Sequence, residues 1–282
     1  APMVAQADAT LYGSFRMGIA QQDNKDLDLR DESTRIGIKG DVDLGLENTK
    51  GLFHWEGQLM TDSEDLKGGS EVLLNRLAYM GATGSWGTAL AGQQYHPYYT
   101  MVNSHTNVFN SADGEFGEAF ALGNSQHKRV ANTIAYASPV MGGFQAVAGI
   151  VVAGGNDDTT VKQEDVDGYN IGVEYTGVEN LRVSASYGDV DNGRDFESNI
   201  WGLGATYGFG DLTLSAKYEE REDSYKGSKM SAAVYNDLYE PTTAVLTDQV
   251  FTADVEFAVW AIAAQYQIGA TELKARYGNI EG

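Results

Sequence analysis

The sequence predicts an all-β fold, an antiparallel up-and-down sheet closed into a transmembrane barrel. Three observations carry this. Apolar and polar residues alternate with period two in thirteen segments. The connections between those segments are short and long in strict turn, which sorts the long ones to one end, as in outer-membrane barrels. No apolar run approaches the ~18 residues of a membrane-spanning helix, whereas Gly 34, Tyr 16 and only Pro 4 suit a large crowded sheet.

The strands follow in order. Thr10 to Ile19 sets Leu11, Phe15, Met17 and Ile19 against Thr10, Tyr12, Ser14 and Arg16. Ser33 to Val42 sets Ile36 and Ile38 against Arg35 and Lys39. Gly51 to Met60 carries Phe53, Trp55 and Leu59 opposite His54, Glu56 and Gln58; Val72 to Met80 carries Leu73, Leu77 and Tyr79 opposite Arg76. Trp86 to Gly92 closes the first half. After a long interruption come Val130 to Tyr136, Phe144 to Val152, Val166 to Tyr175, Leu181 to Tyr187, Asn199 to Tyr207 and Leu212 to Tyr218. The last pair is Asp254 to Ile268 and Glu272 to Gly278, turning at Gly269, after a polar connection from Glu219 to about Val250. The thirteenth strand heads for the long-loop end. An even-stranded barrel therefore calls for an odd number of further strands after Gly282, and Ala1 to Ala9 reads as the start of a processed chain.

In a membrane barrel the usual sorting is inverted, with apolar side chains outward to lipid and polar ones inward to water. The outward set then includes Leu11, Phe15, Ile38, Trp55, Leu77, Tyr79, Ile171, Trp201, Leu203, Leu214, Trp260 and Ile262, with aromatics near the strand ends as interfacial girdles. The inward parity holds Arg16, Arg35, Lys39, Arg76, Arg129, Arg182, Lys217, Lys274 and Arg276. A charge on the lipid face costs ~2–4 kcal/mol at mid-depth, so insertion requires this sorting. A soluble sandwich could bury the same apolar residues, but it gives no reason for the regular alternation of loop lengths.

The stretch from Gln93 to Arg129 is the longest connection, too long to be idle in a compact domain and too aromatic to stand free in water. Its centre is acidic, with Asp113, Glu115 and Glu118. We expect residues 94–128 to fold into the barrel and narrow it. Arg35, Arg76 and Arg129 recur on the second, fourth and sixth strands and would face Asp113 and Glu115 across the hole. Arg16, Lys39 and Glu118 are further lumen-facing candidates. Such a transverse field orients polar solutes and biases ion choice.

The formal charge of −21 argues against nucleic acid, and the absence of cysteine excludes disulfides and thiolate metal sites. Catalytic patterns are weak. His54, His96, His105 and His127 have no serine or carboxylate at a spacing that predicts a triad. Gly202-Leu-Gly204-Ala-Thr-Tyr-Gly208 misses the dinucleotide fingerprint by one residue, and Asp189 to Asp195 falls a residue short of a calcium loop. No enzyme activity and no cofactor are expected.

Several motifs together resemble the trimeric general porins of Gram-negative bacteria. They are Thr-Leu-Tyr-Gly (10–13), Ser-Thr-Arg-Ile-Gly-Ile-Lys-Gly (33–40), Asn-Arg-Leu-Ala-Tyr-Met-Gly (75–81), Glu-Phe-Gly (115–117) and Lys-Arg-Val (128–130). The resemblance implies a sixteen-stranded barrel, of which three strands are missing here, a homotrimer, and a third loop folded inward as an eyelet. By matching motifs, Arg35, Arg76 and Arg129 correspond to the family's basic cluster and Glu115 to its acidic partner. Gly114 departs from a common proline, Asp113 lies nearer Glu115 than the family's second eyelet acid, and an aromatic C-terminal residue is lacking. The implied role is passive diffusion of small hydrophilic solutes and ions across the outer membrane, in contact with its lipid and lipopolysaccharide. Two alternatives stay open at this point. One is a substrate-specific channel with a track of Tyr95, Tyr98, Tyr99 and Phe116; the other is a loop-borne receptor or adhesin on a closed barrel.

Overall fold

A computed structural model describes residues 7–20, 27–59, 61, 73–109, 129–152, 166–191, 196–229 and 250–281. The strands are β1 (Ala7–Ser14), β2 (Met17–Ala20), β3 (Asp28–Asp31), β4 (Arg35–Leu46), β5 (Thr49–Leu59), β6 (Leu73–Gly84), β7 (Gly87–Tyr95) and β8 (Arg129–Ala137). They continue as β9 (Phe144–Val152), β10 (Val166–Tyr175), β11 (Leu181–Asp191), β12 (Phe196–Phe209), β13 (Leu212–Lys229), β14 (Val250–Ile268) and β15 (Thr271–Glu281). Thirteen of them form one antiparallel sheet in which β1 pairs β4 and every later strand pairs the next in sequence. This is the predicted up-and-down wall of a transmembrane barrel. Among the described residues, β1 and β15 are its two edges.

The short turns all lie at one end. Asn48 (φ 52°) and Asn180 (φ 60°) take the left-handed conformation that tight turns need, which asparagine tolerates better than most side chains. At the other end the strands outrun their apolar alternation. The sequence reads Glu219 to about Val250 as connection, yet β13 continues to Lys229 and β14 begins at Val250. Likewise β11 runs to Asp191 and β12 starts at Phe196, inside the expected loop from Gly188 to Glu197. Strand that projects beyond the lipid has no need of an apolar face, so it carries no alternation of apolar residues. The first predicted strand divides at Phe15 and Arg16, beyond which β2 and β3 form a separate hairpin. There the Thr34 hydroxyl accepts from Arg16 N and donates to Arg16 O, both at 3.0 Å, in place of a ladder partner.

Side chains sort as the inverted pattern requires. Leu11, Phe15, Ile38, Trp55, Ile171, Trp201, Leu203, Leu214, Trp260 and Ile262 are exposed on the outside, Phe15 to 88%. Glu56, Arg76, Gln94, Lys217, Glu219 and Arg221 are buried within. Ring pairs Tyr169–Tyr187, Trp201–Tyr218 and Trp260–Tyr277 mark one girdle, and Trp86–Tyr136, Phe144–Tyr175 and Tyr207–Phe209 the other. Trp201 to Phe209 is a run of nine residues, within the ~9–11 of a tilted strand that crosses a bilayer.

Leu77 and Tyr79 correct the expected outward set. Leu77 is 3% exposed, and the Tyr79 hydroxyl meets His54 Nδ1 at 2.9 Å on the inner face. The cause is a bulge. Glu56 pairs with Leu77 and Gly57 with Asn75, so Arg76 is an extra residue and the parity flips after it.

Candidate functional site

The long connection is not structureless, as its composition suggested. β7 ends at Tyr95, and His96 stays extended (φ −61°, ψ 136°) while its ring Nδ1 accepts from Tyr98 N at 3.4 Å. Pro97 then occupies the first helical position, where its missing N–H costs nothing. Helix α1 (Pro97–Met101) leads into a 3₁₀ turn, Asn103–His105. Elements this short do not persist alone. They are held by the inner wall, α1 against β9, β10 and β11 and the 3₁₀ turn against β12 and β13.

The anchor is part apolar and part polar. Tyr98, Met101 and Val102 from the loop join Ile200 and Val259 from the wall in a small core inside the barrel, each buried side chain of this size contributing about 1.5–3 kcal/mol. Arg182 donates to Thr100 O (2.6 Å) and Ser104 Oγ (3.2 Å), and Ser184 Oγ donates to Met101 O. Lys217 Nζ reaches Asn103 Oδ1 (2.9 Å) and Glu219 Oε1 (2.8 Å), and the Tyr98 hydroxyl donates to Glu219 Oε2 (3.2 Å). Below Glu219 on the same face, Arg221 pairs with Asp223. These four residues form a Lys-x-Glu-x-Arg-x-Asp ladder. Sequence reasoning placed Lys217 correctly but lost the other three to the presumed loop, although their period-two spacing was a usable signal.

His105 is fully engaged, Nδ1 with Thr206 Oγ1 and Nε2 with Ser184 Oγ, both at 2.7 Å. Burial pushes its pKa down to about 3 and that of His96 down to about 4, so both rings are neutral. Two wall glycines make room for this packing. A Cβ on Gly202 would stand 2.3 Å from the Tyr98 hydroxyl, and one on Gly204 2.2 Å from the His105 ring. Those glycines are the near-miss to a dinucleotide motif, and close approach of the loop explains them.

Tyr98 is 0% exposed and points into the wall, so it does not line a solute track. Tyr95 and Tyr99 stack with centroids 5.2 Å apart. The segment then crosses the lumen. Thr106 O accepts from Arg276 on β15 at 3.4 Å, the Phe109 ring lies 5.9 Å from the same guanidinium, and Phe109 O accepts from Arg16 Nη2 at 3.0 Å. One residue thus touches groups from both edges of the sheet, which is direct evidence of how far the wall curls.

The predicted basic residues share a level and a wall. Arg35 begins β4, Arg76 is the fourth residue of β6 from its long-loop end, Arg129 begins β8 and Arg16 follows β1. Arg16 feels the like charges of Arg35 and Arg76, and Arg129 that of Arg76. Arg76 is not a bare cation, however. Its Nε donates to the buried Glu56 carboxylate at 2.7 Å and its Nη1 to Gln58 Oε1 at 3.2 Å. Tyr12 donates to the other Glu56 oxygen at 2.7 Å and meets His54 Nε2 at 2.6 Å, so both His54 nitrogens are engaged. Lys39 lies 5.5 Å over the Tyr12 ring on this inner face. Asp113, Glu115 and Glu118, with Phe116 and His127, lie outside the described residues.

A family model described as Gram-negative porin matches residues 1–282. The chain belongs to that family. Its place is the bacterial outer membrane. Among curated proteins, a chitoporin of Vibrio furnissii is 29% identical over 161 residues, 52% of this chain and 40% of that protein. Major outer membrane protein P.IB of Neisseria gonorrhoeae is 27% identical over 188 residues, 62% of this chain and 50% of that one. The porin chain thus spans about half the length of the curated relatives it matches. Among solved structures, the anion-selective porin from Comamonas acidovorans superposes with a TM-score of 0.73 at 19% identity, covering 97% of this chain and 78% of that one. OmpF of Salmonella typhi gives 0.70 at 18%, covering 99% and 79%. At such identities the likeness concerns the fold.

Proposed function

We propose that this porin is a passive diffusion channel for small hydrophilic solutes and ions, acting as a homotrimer without turnover chemistry, its outer face in contact with outer-membrane lipid and lipopolysaccharide. The observation that carries this is the inserted segment 95–109. It is bolted to one wall, crosses the lumen and ends at Arg16, so it sets a cross-section without closing a chemical site. In this reading residues 94–128 constrict a single barrel. Arg16, Arg35, Arg76 and Arg129, with Lys39 nearer the short-turn mouth, supply the basic side, and Asp113, Glu115 and Glu118 the acidic one. Because Glu56 compensates Arg76, the field rests mainly on Arg35 and Arg129.

The test is single-channel recording in planar bilayers under a salt gradient. Glu115→Gln is expected to shift the reversal potential toward anions and Arg129→Gln toward cations, with openings in steps of three. Folded wild-type protein that leaves bilayers silent would overturn the channel.

A further inference from the structure

Between α1 and the short-turn end of the barrel, the inner wall holds a cavity of about 340 Å³. That volume lies within the ~300–1,000 Å³ typical of small-ligand sites. Its lining is unusual for a face that must be wet. Leu90 and Val147 from the wall and Met101 from the helix give it an apolar floor, with Tyr95 beside them. Of the polar lining, Tyr79, Thr88, Gln94 and Thr100 are hydrogen-bonded within the protein, to His54, Thr83, Thr133 and Pro97, and Gln145 and the Arg182–Glu174 pair supply the rest. Charge is already satisfied there. Arg182 donates from Nε to Glu174, from Nη1 to Ser104 and from Nη2 to Thr100, and the Glu174 carboxylate offsets its charge. A carboxylate or phosphate therefore gains little, and so does a cation. Gln145 spends its amide N–H on Ser138 O at 2.9 Å, which leaves its side-chain carbonyl as an acceptor for a hydroxyl.

An apolar floor with an aromatic ring and amide or paired-charge edges suits a solute that has one apolar face and a rim of hydroxyls. We infer that this cavity is a lumenal subsite for an uncharged, pyranose-sized ring, placed where a solute leaves the constriction toward the short-turn mouth. The inference rests on the channel reading above. Ring geometry is the discriminating feature, because an open-chain polyol carries the same hydroxyls but no rigid apolar face.

The experiment measures ion current through the wild-type porin in potassium chloride with added D-glucose or D-sorbitol. Glucose is expected to reduce current saturably and to add blocking noise, while sorbitol lowers it only in step with solution conductivity. Val147→Phe, which fills the floor, and Gln145→Leu, which removes the acceptor at the rim, should each raise the half-blocking glucose concentration at least tenfold. Gln145 is half-exposed near a turn, so its variant reports even where Val147→Phe fails to fold. Conductance with glucose and sorbitol indistinguishable would overturn the subsite and leave the channel standing. Glucose block unchanged in the variants would place the ring elsewhere and overturn it as well. Absence of any conductance would instead sink the channel reading on which it depends.

Discussion

Lys217→Met is the sharpest test of how the loop is held. The Lys217 and Glu219 side chains are 1% and 0% exposed and 2.8 Å apart. Methionine keeps the length and apolar volume of the lysine but removes the ammonium that meets both Glu219 and Asn103 Oδ1. Depriving a buried carboxylate of its cation costs about 3–5 kcal/mol. Part of this is relieved if α1 swings away and admits water, so the cost is expressed as undocking of the segment. With a factor of ten per ~1.4 kcal/mol, the open population rises by about 10²–10³-fold. Hydrogen exchange of residues 96–106 at pH 7.5 in lipid nanodiscs reads that change, with the amides of Val102 and His105 as reporters. Lys217→Met/Glu219→Gln removes both charges and should recover at least half of the lost protection. Exchange in Lys217→Met within twofold of wild type would refute the reasoning, as would a double variant no better protected than the single one.

The remaining predictions address the other contacts. Because the pKa values of His96 and His105 lie below the ordinary 6.5, docking carries no protonation penalty above pH 6.5. It weakens by ~1.4 kcal/mol per pH unit per ring as pH falls toward 4, and the loss is complete below about 3; exchange of 96–106 at pH 5 against pH 7.5 checks the sign. Gly204→Val should displace the His105 ring and undock the turn, and adding His105→Ala should restore protection in the same assay. Glu56→Gln leaves Arg76 as an uncompensated buried cation, at a cost of about 3–5 kcal/mol in urea unfolding from liposomes, and should shift the reversal potential toward anions. Leu203→Lys on the lipid face should cost ~2–4 kcal/mol of folding in bilayers, whereas the same change on a soluble surface would be nearly neutral.

What was legible in the sequence was whatever the bilayer imposes. Lipid forces strict alternation through strands such as β12 and β13, and that alternation placed nearly every wall strand. Where the lipid stops, the signal stops, so the polar extensions of β11 to β14 read as loops. The single residue inserted at Arg76 inverted Leu77 and Tyr79, because a bulge changes parity without changing composition. The anchoring of the loop was hidden for a different reason. Tyr98, His105, Gly202 and Glu219 are far apart in the chain, and each is ordinary in its own segment. A run of glycines on the inner parity of adjacent strands (Gly172, Gly188, Gly202 and Gly204) was the available clue that another piece of backbone approaches there.

The choice of charges for that anchor has a physical reason. A barrel wall with an apolar inner face would offer lipid two equivalent surfaces, and a one-residue slip of β13 would exchange them. Lys217, level with the apolar band, opposes that slip, since it would turn a charge toward hydrocarbon, while Glu219, Arg221 and Asp223 continue the same parity beyond the Tyr218 girdle. The same residues are compatible with water before the loop arrives, because they remain solvated in an open lumen. In the docked state Tyr98 and Asn103 contact Glu219 and Lys217, which form a buried pair. Burial of ions is normally a weak source of stability. Here Lys217 therefore acts first to specify which face is the lumen, and docking of the loop exploits a surface that correct insertion had already required.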